Sequence, residues 1–414
     1  MSRAQATVVL DGHIIDSLIL PKVFDTILAL GGTFDLKEVQ IGTKREEPSH
    51  ARIQVSAKSA EQLAIILKSI QPHGAHVEGE SDCAVEPAPK DGVFPENFYA
   101  TSHLPTQVRL KGKWLDVQDI EMDLGIRVDA AQSSATTVPM NDVQKGELVI
   151  TGRVGVRVFP LERPKGRDVF SFMQAEVSSE RPNTYAIADI AERMKTLAKN
   201  REAGKPGSDV LLTGGPAIIH AGARDALAWL IDQGFINVLF CGNALATHDL
   251  EADLYGTSLG YGFSAGHAVP HGHEHHLRTI NRIRGIGSIE RAVETGVIKT
   301  GVMAACVRRG ARLVMAGSIR DDGPLPGVIT DSMEAQKAMR AALPGVGLAL
   351  LVATTLHSIA TGNLLPATVP TVCVDVNQAV PTKLADRGTF QAIGLVMDAA
   401  SFMRDLARNL GWTG

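Results

Sequence analysis

The chain has 414 residues, of which 44% are hydrophobic and only 5% aromatic, with 40 glycines and a formal charge of -4. That length supplies two or three cores, and the absence of a dense lysine or arginine run excludes a partner recognised through a phosphate backbone, so no nucleic acid is expected. No window of about 18 uncharged apolar residues reads as a membrane span.

The opening MSRAQATVVLDGHIIDS lacks the apolar run of a signal peptide, and Cys83, Cys241, Cys306 and Cys373 are scattered without a pairing pattern. A reduced cytoplasm is the expected setting.

Residues 1 to 95 are expected to form a ferredoxin-like α+β domain. A partly alternating strand occupies residues 7 to 16, and LPKVFDTILAL places Val23, Phe24, Ile27 and Leu28 at helical spacing before Gly31 and Gly32 stop it. TFDLKEVQIG and HARIQVSA read as strands, SAEQLAIILKSI as a helix capped by Ser59, and AHVEG as a last short strand. The order β-α-β-β-α-β is that of a ferredoxin-like unit.

Residues 96 to 168 are read as a small β-rich linking domain. The proline-bearing connection EPAPKDGVFPENF leads to the short strands QVRLKGKWLDV, GIRVDA, ELVITG and GVRVFP. The polar fragment from Tyr99 to His103 is either a surface turn or a reach into a cleft.

From residue 169 to 414 helices and strands alternate, which predicts a Rossmann-like parallel sheet covered on both faces, an α/β class of fold. AIADIAERMKTLAKN is a helix, 210 to 213 a strand, 222 to 233 a helix and 236 to 241 a strand. IERAVETG and GVMAACVRRG are helical, LVMAGS is a strand, LLVATTLHSIATG a strand or a helix, VCVDVN a strand, and QAIGLVMDAASFMRDLARNL one long terminal helix.

Two segments stand out. VLLTGGPAIIHAGA (210 to 223) and VLFCGNALATHDLE (238 to 251) each run an apolar strand into small residues and a polar turn, with a helical stretch between them. Such a βαβ unit opens both strand ends on one sheet edge, where open α/β domains bind nucleotides. Gly214, Gly215 and Pro216 leave the first strand, and Gly242, Asn243 and Ala244 the second; without side chains in the way, backbone amides approach an anionic or ribose group. His248, Asp249 and Glu251 follow as an acid-base set. Ser318 and Asp322 sit at a third exit, and Asp375 and Asn377 at another, where a carboxylate between valines needs donors such as ribose hydroxyls.

The run GHAVPHGHEHHLRTIN holds five histidines, yet no carboxylate or thiolate is placed to complete a zinc site, so no metal is expected. A loop closing on the site, with His273 or His276 near substrate, is the reading preferred. Lys299 is a candidate carboxylate binder. Gly285-Ile286-Gly287 imitates a dinucleotide fingerprint but meets Glu290 where the third glycine belongs. No G-x-S-x-G elbow and no Walker lysine occur.

The stretch from Thr213 to Glu251, with Ser178-Ser179-Glu180-Arg181-Pro182 before it and 316 to 331 after it, closely resembles the archaeal-type ornithine cyclodeaminase family, also known as the LOR/SDH conserved region. A related domain forms the C-terminal part of cyanobacterial arginine dihydrolases. The same strand, helix and loop succession is more distantly similar to deoxyhypusine synthase. The resemblance implies NAD as cofactor, an amino-acid substrate and a homo-oligomer. It also implies a closed redox cycle from L-ornithine to L-proline and ammonia. For that chemistry residue type, rather than the resemblance, nominates His248 and Asp249 to move protons, Glu251 or Asp322 to pair with the distal ammonium, and Lys299 or Arg320 with the carboxylate. On that reading Asp249→Asn lowers turnover far more than cofactor affinity. A dehydrogenase of the saccharopine or lysine-reductase type and a non-catalytic amino-acid-binding protein are the alternatives.

Overall fold

The computed structural model describes residues 4–15, 18–42, 47–79, 81–159, 183–262, 269, 272–321, 323–386 and 392–414. It divides into two compact units, the first being 1–174 with 365–368, the second 175–364 with 369–414.

The first unit opens with strand β1 (Ala4–Gly12), helix α1 (Ile19–Ala29), β2 (Thr33–Gln40), β3 (Ser49–Ala57), α2 (Ala60–Ile70) and β4 (His76–Val77). Their sheet order β2-β3-β1-β4 is antiparallel throughout, which is the ferredoxin-like arrangement. Alternation along β3 buries every second residue, and Val8, Leu10, Ile53 and Val55 meet Val23 and Ile27 of α1 and Ile66 and Ile70 of α2. Ser59 caps α2 as expected, its Oγ accepting from the Gln62 amide at 3.2 Å.

A second sheet follows, built from β5 (Ala84–Pro87), β6 (Thr106–Leu110), β7 (Lys113–Gln118), β8 (Gly125–Val128), β9 (Ala135–Val138), β10 (Leu148–Thr151) and β11 (Val156–Val158) in the order β11-β6-β7-β9-β8-β10-β5. QVRLKGKWLDV is two strands, not one, because Lys111 and Gly112 turn with φ of 48° and 75°. The fragment from Tyr99 to His103 is no surface turn: Tyr99, Thr101 and His103 are buried, with the Thr101 hydroxyl on the Leu124 amide and His103 Nδ1 on the Leu365 carbonyl at 2.9 Å.

The second unit carries α3 (Asn183–Glu202), β12 (Asp209–Gly214), α4 (Ala217–His220), α5 (Arg224–Asp232), β13 (Val238–Gly242), α6 (Asn243–Tyr255), β14 (Thr257–Ser258) and β15 (Tyr261–Gly262). Next come α7 (His275–Ile286), α8 (Ile289–Glu294), α9 (Val302–Arg309), β16 (Arg312–Ala316), β17 (Val328–Ile329) and α10 (Ser332–Ala341). The unit ends with β18 (Val346–Val352), α11 (Leu356–Leu364), β19 (Thr371–Asp375), α12 (Ala379–Asp386), β20 (Ala392–Val396) and α13 (Ala399–Asn409).

A seven-stranded parallel sheet in the order β17-β16-β13-β12-β18-β19-β20 forms its centre. Apolar runs such as VLFCG and VGLALLV are buried on both faces by helices, the composition a parallel sheet demands. The expected long terminal helix is corrected: residues 392 to 396 pair with β19, and Asp398 then caps the shorter α13 by accepting from the Ser401 amide at 2.8 Å. Gly287 ends α7, so the Gly285-Ile286-Gly287 imitation marks a helix end. Among the described residues no helix is long and apolar enough to cross a membrane.

Candidate functional site

Because neighbouring strands of this sheet run parallel, the C-terminal ends of β12, β13, β16, β18 and β19 open on one edge. β12 comes first in the chain; β13 and β16 add on one side of it and β18, β19 and β20 on the other. The edge between β12 and β18 is therefore the topological switch point, where open α/β sheets take their ligands.

Gly214 and Gly215 leave β12 at that point. The Gly215 amide donates to the Val352 carbonyl at 2.9 Å, and a Cβ on Gly215 would lie 1.8 Å from the Ala353 oxygen. Ala353 itself holds φ of 52°, a region that non-glycine residues seldom occupy. Two backbones are thus pressed together with no side chain between them, and Pro216 leads directly into α4. Gly215→Ala is expected to cost about 1–3 kcal/mol by overpacking, read as a lower melting temperature. Unchanged melting would mean that the two loops separate freely.

Gly242 holds the equivalent place on β13. A Cβ there would come within 3.2 Å of His357 Cε1, so the ring at the start of α11 lies over this exit. Burial lowers the His357 pKa, with Asp321 pulling the other way. Asn243, also buried, ties the β16 exit to α6: its Oδ1 accepts from the Leu325 amide at 2.9 Å and its Nδ2 donates to the Gly323 carbonyl at 3.2 Å. Ala244 is half-buried beside it.

The other strand-exit candidates line the same edge. Ser318 is exposed past β16, with its amide on Asp321 Oδ2 at 2.8 Å. Asp375 ends β19 and accepts from the Asn377 amide at 2.8 Å, while Asn377 Oδ1 accepts from the Ala379 amide at the start of α12. Asp322 lies outside the described residues, as do His267, His271 and the segment 178 to 182.

A buried polar group surrounds His248, which α6 carries about 9 Å beyond Gly242 at 1.5 Å per residue. One turn separates His248 from Glu251, and their side chains meet, Nδ1 to Oε2 at 2.9 Å. The other carboxylate oxygen accepts from Thr257 Oγ1 at 2.8 Å and the Gly260 amide at 3.2 Å. Thr257 in turn meets His275 Nδ1 at 2.8 Å, and the His275 ring stacks on Tyr255. Burial alone would raise the Glu251 pKa; the bonds from His248, Thr257 and Gly260 outweigh it and hold the carboxyl below its usual value. With Nδ1–H committed to that carboxylate, His248 presents Nε2 as a proton acceptor with no partner among the described residues.

His220, at the end of α4, completes the group. Its ring meets that of His248 edge to face at 4.5 Å, and its Nδ1 lies 2.6 Å from Ser258 Oγ. Burial first, and His248 second, push its pKa down to about 4, against a smaller opposing pull from Glu251.

Asp249 does not join this group. It is fully buried on another side of α6, where Oδ1 accepts from Arg224 Nε at 2.8 Å and the Val302 amide at 2.9 Å, and Oδ2 from the Met303 amide at 2.8 Å. Burial raises its pKa, while Arg224 and the two amides pull it down. Lys299 is exposed, and its backbone amide rather than its ammonium is anchored, on Asp253 at 2.8 Å. His276 is half-buried on α7 and His273 exposed; of the described histidines in that run, His275 reaches the Glu251 group through Thr257.

Sequence reasoning passed over His220, Thr257, Ser258 and Arg224, and within the histidine run it preferred His273 or His276 to His275. A signal existed for the first: His220 and His248 are each the sixth residue after a strand-ending glycine, Gly214 and Gly242.

Comparison with known proteins matches residues 188–406 to the Rossmann-fold C-terminal region of ArgZ-like arginine dihydrolases, 105–187 to the first region of the same C-terminal part, and 5–104 to the LOR/SDH bifunctional enzyme conserved region. An ornithine cyclodeaminase of Methanopyrus kandleri is 49% identical over 411 residues, covering 99% of this chain and 98% of that protein. A crystal structure of a LOR/SDH protein from Methanococcus maripaludis is 43% identical, with TM-score 0.74 over 80% of this chain and 97% of the other. The ternary complex of AgrE with ornithine and NAD+ is 38% identical, with TM-score 0.52 over 99% of this chain and 57% of the other; AgrE is a bifunctional arginine dihydrolase/ornithine cyclodeaminase of a Nostoc species.

Proposed function

The chain belongs to the family of archaeal ornithine cyclodeaminases and ArgZ-like C-terminal regions, and from that premise we propose that it converts L-ornithine to L-proline and ammonia with NAD as its cofactor. The observation that carries the chemistry is the His248–Glu251 pair, with its imidazole Nε2 left open.

The switch-point edge fits a dinucleotide. Gly214, Gly215 and Gly242 clear side chains from the strand exits, and Asn243 fixes the neighbouring loop. Ile319, Leu356 and Val376 stand 106%, 81% and 69% exposed just past three strand ends, an apolar rim that flat rings would cover. Ser318, Asp375 and Asn377 offer hydrogen-bonding groups for ribose on the same edge. Bound there, NAD supplies a hydride acceptor that gives the hydride back within one turnover, so no net oxidation results.

The protein's own part is proton handling and placement. His248 Nε2 takes a proton from a substrate nitrogen and returns it as ammonia leaves, while Glu251 holds the tautomer and offsets the charge of the imidazolium. Glu251 does this from a fixed position, because Thr257 and the Gly260 amide occupy its second oxygen. Keeping both ends of a flexible diamine at one site favours ring closure by proximity.

The test is an incubation of the purified protein with L-ornithine and catalytic NAD, following proline, ammonia and NADH together. Equal proline and ammonia without accumulating NADH is the expected result. Stoichiometric NADH would replace the reading with an amino-acid dehydrogenase, and no product at all would leave only ligand binding.

A further inference from the structure

Two imidazoles, not one, occupy the centre of this group, and they differ in what holds them. His248 is tied at Nδ1 to the Glu251 carboxylate; His220 is tied at Nδ1 to the hydroxyl of Ser258, which brings no charge. Their anchors converge on β14, since Ser258 holds His220 and Thr257 holds Glu251. β14 thus holds His220 Nδ1 directly and His248 Nδ1 through Glu251, so the Nε2 of each ring is the nitrogen these anchors leave over. Neither Nε2 has a partner among the described residues.

We propose that His220 is a second substrate-facing residue: His248 carries the proton, and the His220 ring, packed edge to face on it and anchored by Ser258, positions the other nitrogen of the diamine. This rests on the ornithine cyclodeaminase reading above. A diamine that cyclises with loss of ammonia makes unequal demands on its two nitrogens. One gives up a proton as it becomes the nucleophile, the other gains one as it departs, and the exchange is proton-neutral overall. One ring paired with a carboxylate and one paired with a hydroxyl suit that division better than two alike.

The setting of His220 keeps it uncharged. From α6 it faces His248 and, through it, Glu251; from β14 it faces Thr257 and Ser258. The charged side chains of other elements packed on α4 are engaged elsewhere, Arg404 of α13 on the Gly222 carbonyl and Arg224 of α5 on Asp249 and Thr300. Burial beside His248 then holds its pKa at about 4, so that the ring stays neutral while His248 cycles.

The experiment compares wild type, His220→Ala and Ser258→Ala for L-ornithine turnover, NAD affinity and melting, with a pH titration of the histidine rings by NMR. His220→Ala is expected to lower kcat/KM about 100-fold with NAD affinity kept, and added imidazole to restore part of the loss. Ser258→Ala, which leaves the ring but frees it, is expected to raise KM with melting unchanged, so the case stands even where His220→Ala fails to fold. The His220 resonance should stay that of a neutral ring down to about pH 4. Wild-type kinetics in both variants, or a His220 that titrates near the ordinary histidine value, would overturn the inference. A wild-type protein that makes no proline from ornithine would instead overturn the reading on which it rests.

Discussion

His248→Gln is expected to lower proline formation by about 10²–10⁴-fold, the usual span for a lost general acid-base group, with NAD affinity and melting close to wild type. Glutamine keeps a donor for Glu251 but has no lone pair that cycles a proton near neutral pH. Glu251→Gln should follow the same direction with a smaller loss, because the neutral amide still orients the ring but no longer balances its charge. The carboxylate also links the site to acid stability. Its folded pKa lies below the unfolded value, so its contribution is full above the unfolded value and disappears as the pH falls through the folded one. Glu251→Gln should therefore flatten the loss of melting temperature on acidification. A His248→Gln protein that turns over ornithine normally would remove the imidazole from the chemistry. Parallel losses of melting and NAD binding would give it a purely structural part.

How much of this is legible in the sequence depends on the range of the signal. The apolar runs of β12 and β13 and the glycines ending them carry their meaning locally, so the parallel sheet and its open edge follow from residues 210 to 251 alone. The ferredoxin-like order was equally local, set by alternation in β3 and by the Ser59 cap. Residues 392 to 396 misled because a short apolar run fits either period, and pairing with β19, a neighbour contributed from far back in the chain, decided it. The acid-base set was seen as a cluster in sequence but not resolved into faces. On a helix His248 and Glu251, three apart, meet, whereas Asp249 points about 100° away from His248 toward α9. Ser258 left no trace of its own, and His275 did not stand out from its histidine run, since each acts through a partner that only folding brings near.

That separation of faces makes Asp249 the converse case. Asp249→Ala is expected to cost about 3–5 kcal/mol, because it takes from a nearly buried Arg224 side chain, 13% exposed, its nearest carboxylate, leaving Asp225 and Asp253 at 3.6 and 3.8 Å, and leaves the amides of Val302 and Met303 at the start of α9 unpaired. The packing there is tight: a Cβ on Gly301 would sit 2.1 Å from Arg224 Nη2 and 2.4 Å from Asp249 Oδ1. Asp253, one turn further along α6, holds the Lys299 and Thr300 amides and would keep part of the loop in place. Asp249→Asn retains acceptor oxygen for the amides and should lose less. For a unit of this size each kcal/mol lowers the melting temperature by about 2–4 °C, so the alanine variant should melt well below wild type. Its remaining folded fraction should turn over at nearly the normal rate. A variant that melts as wild type yet has lost turnover would reverse the assignment, moving Asp249 back into the chemistry alongside His248.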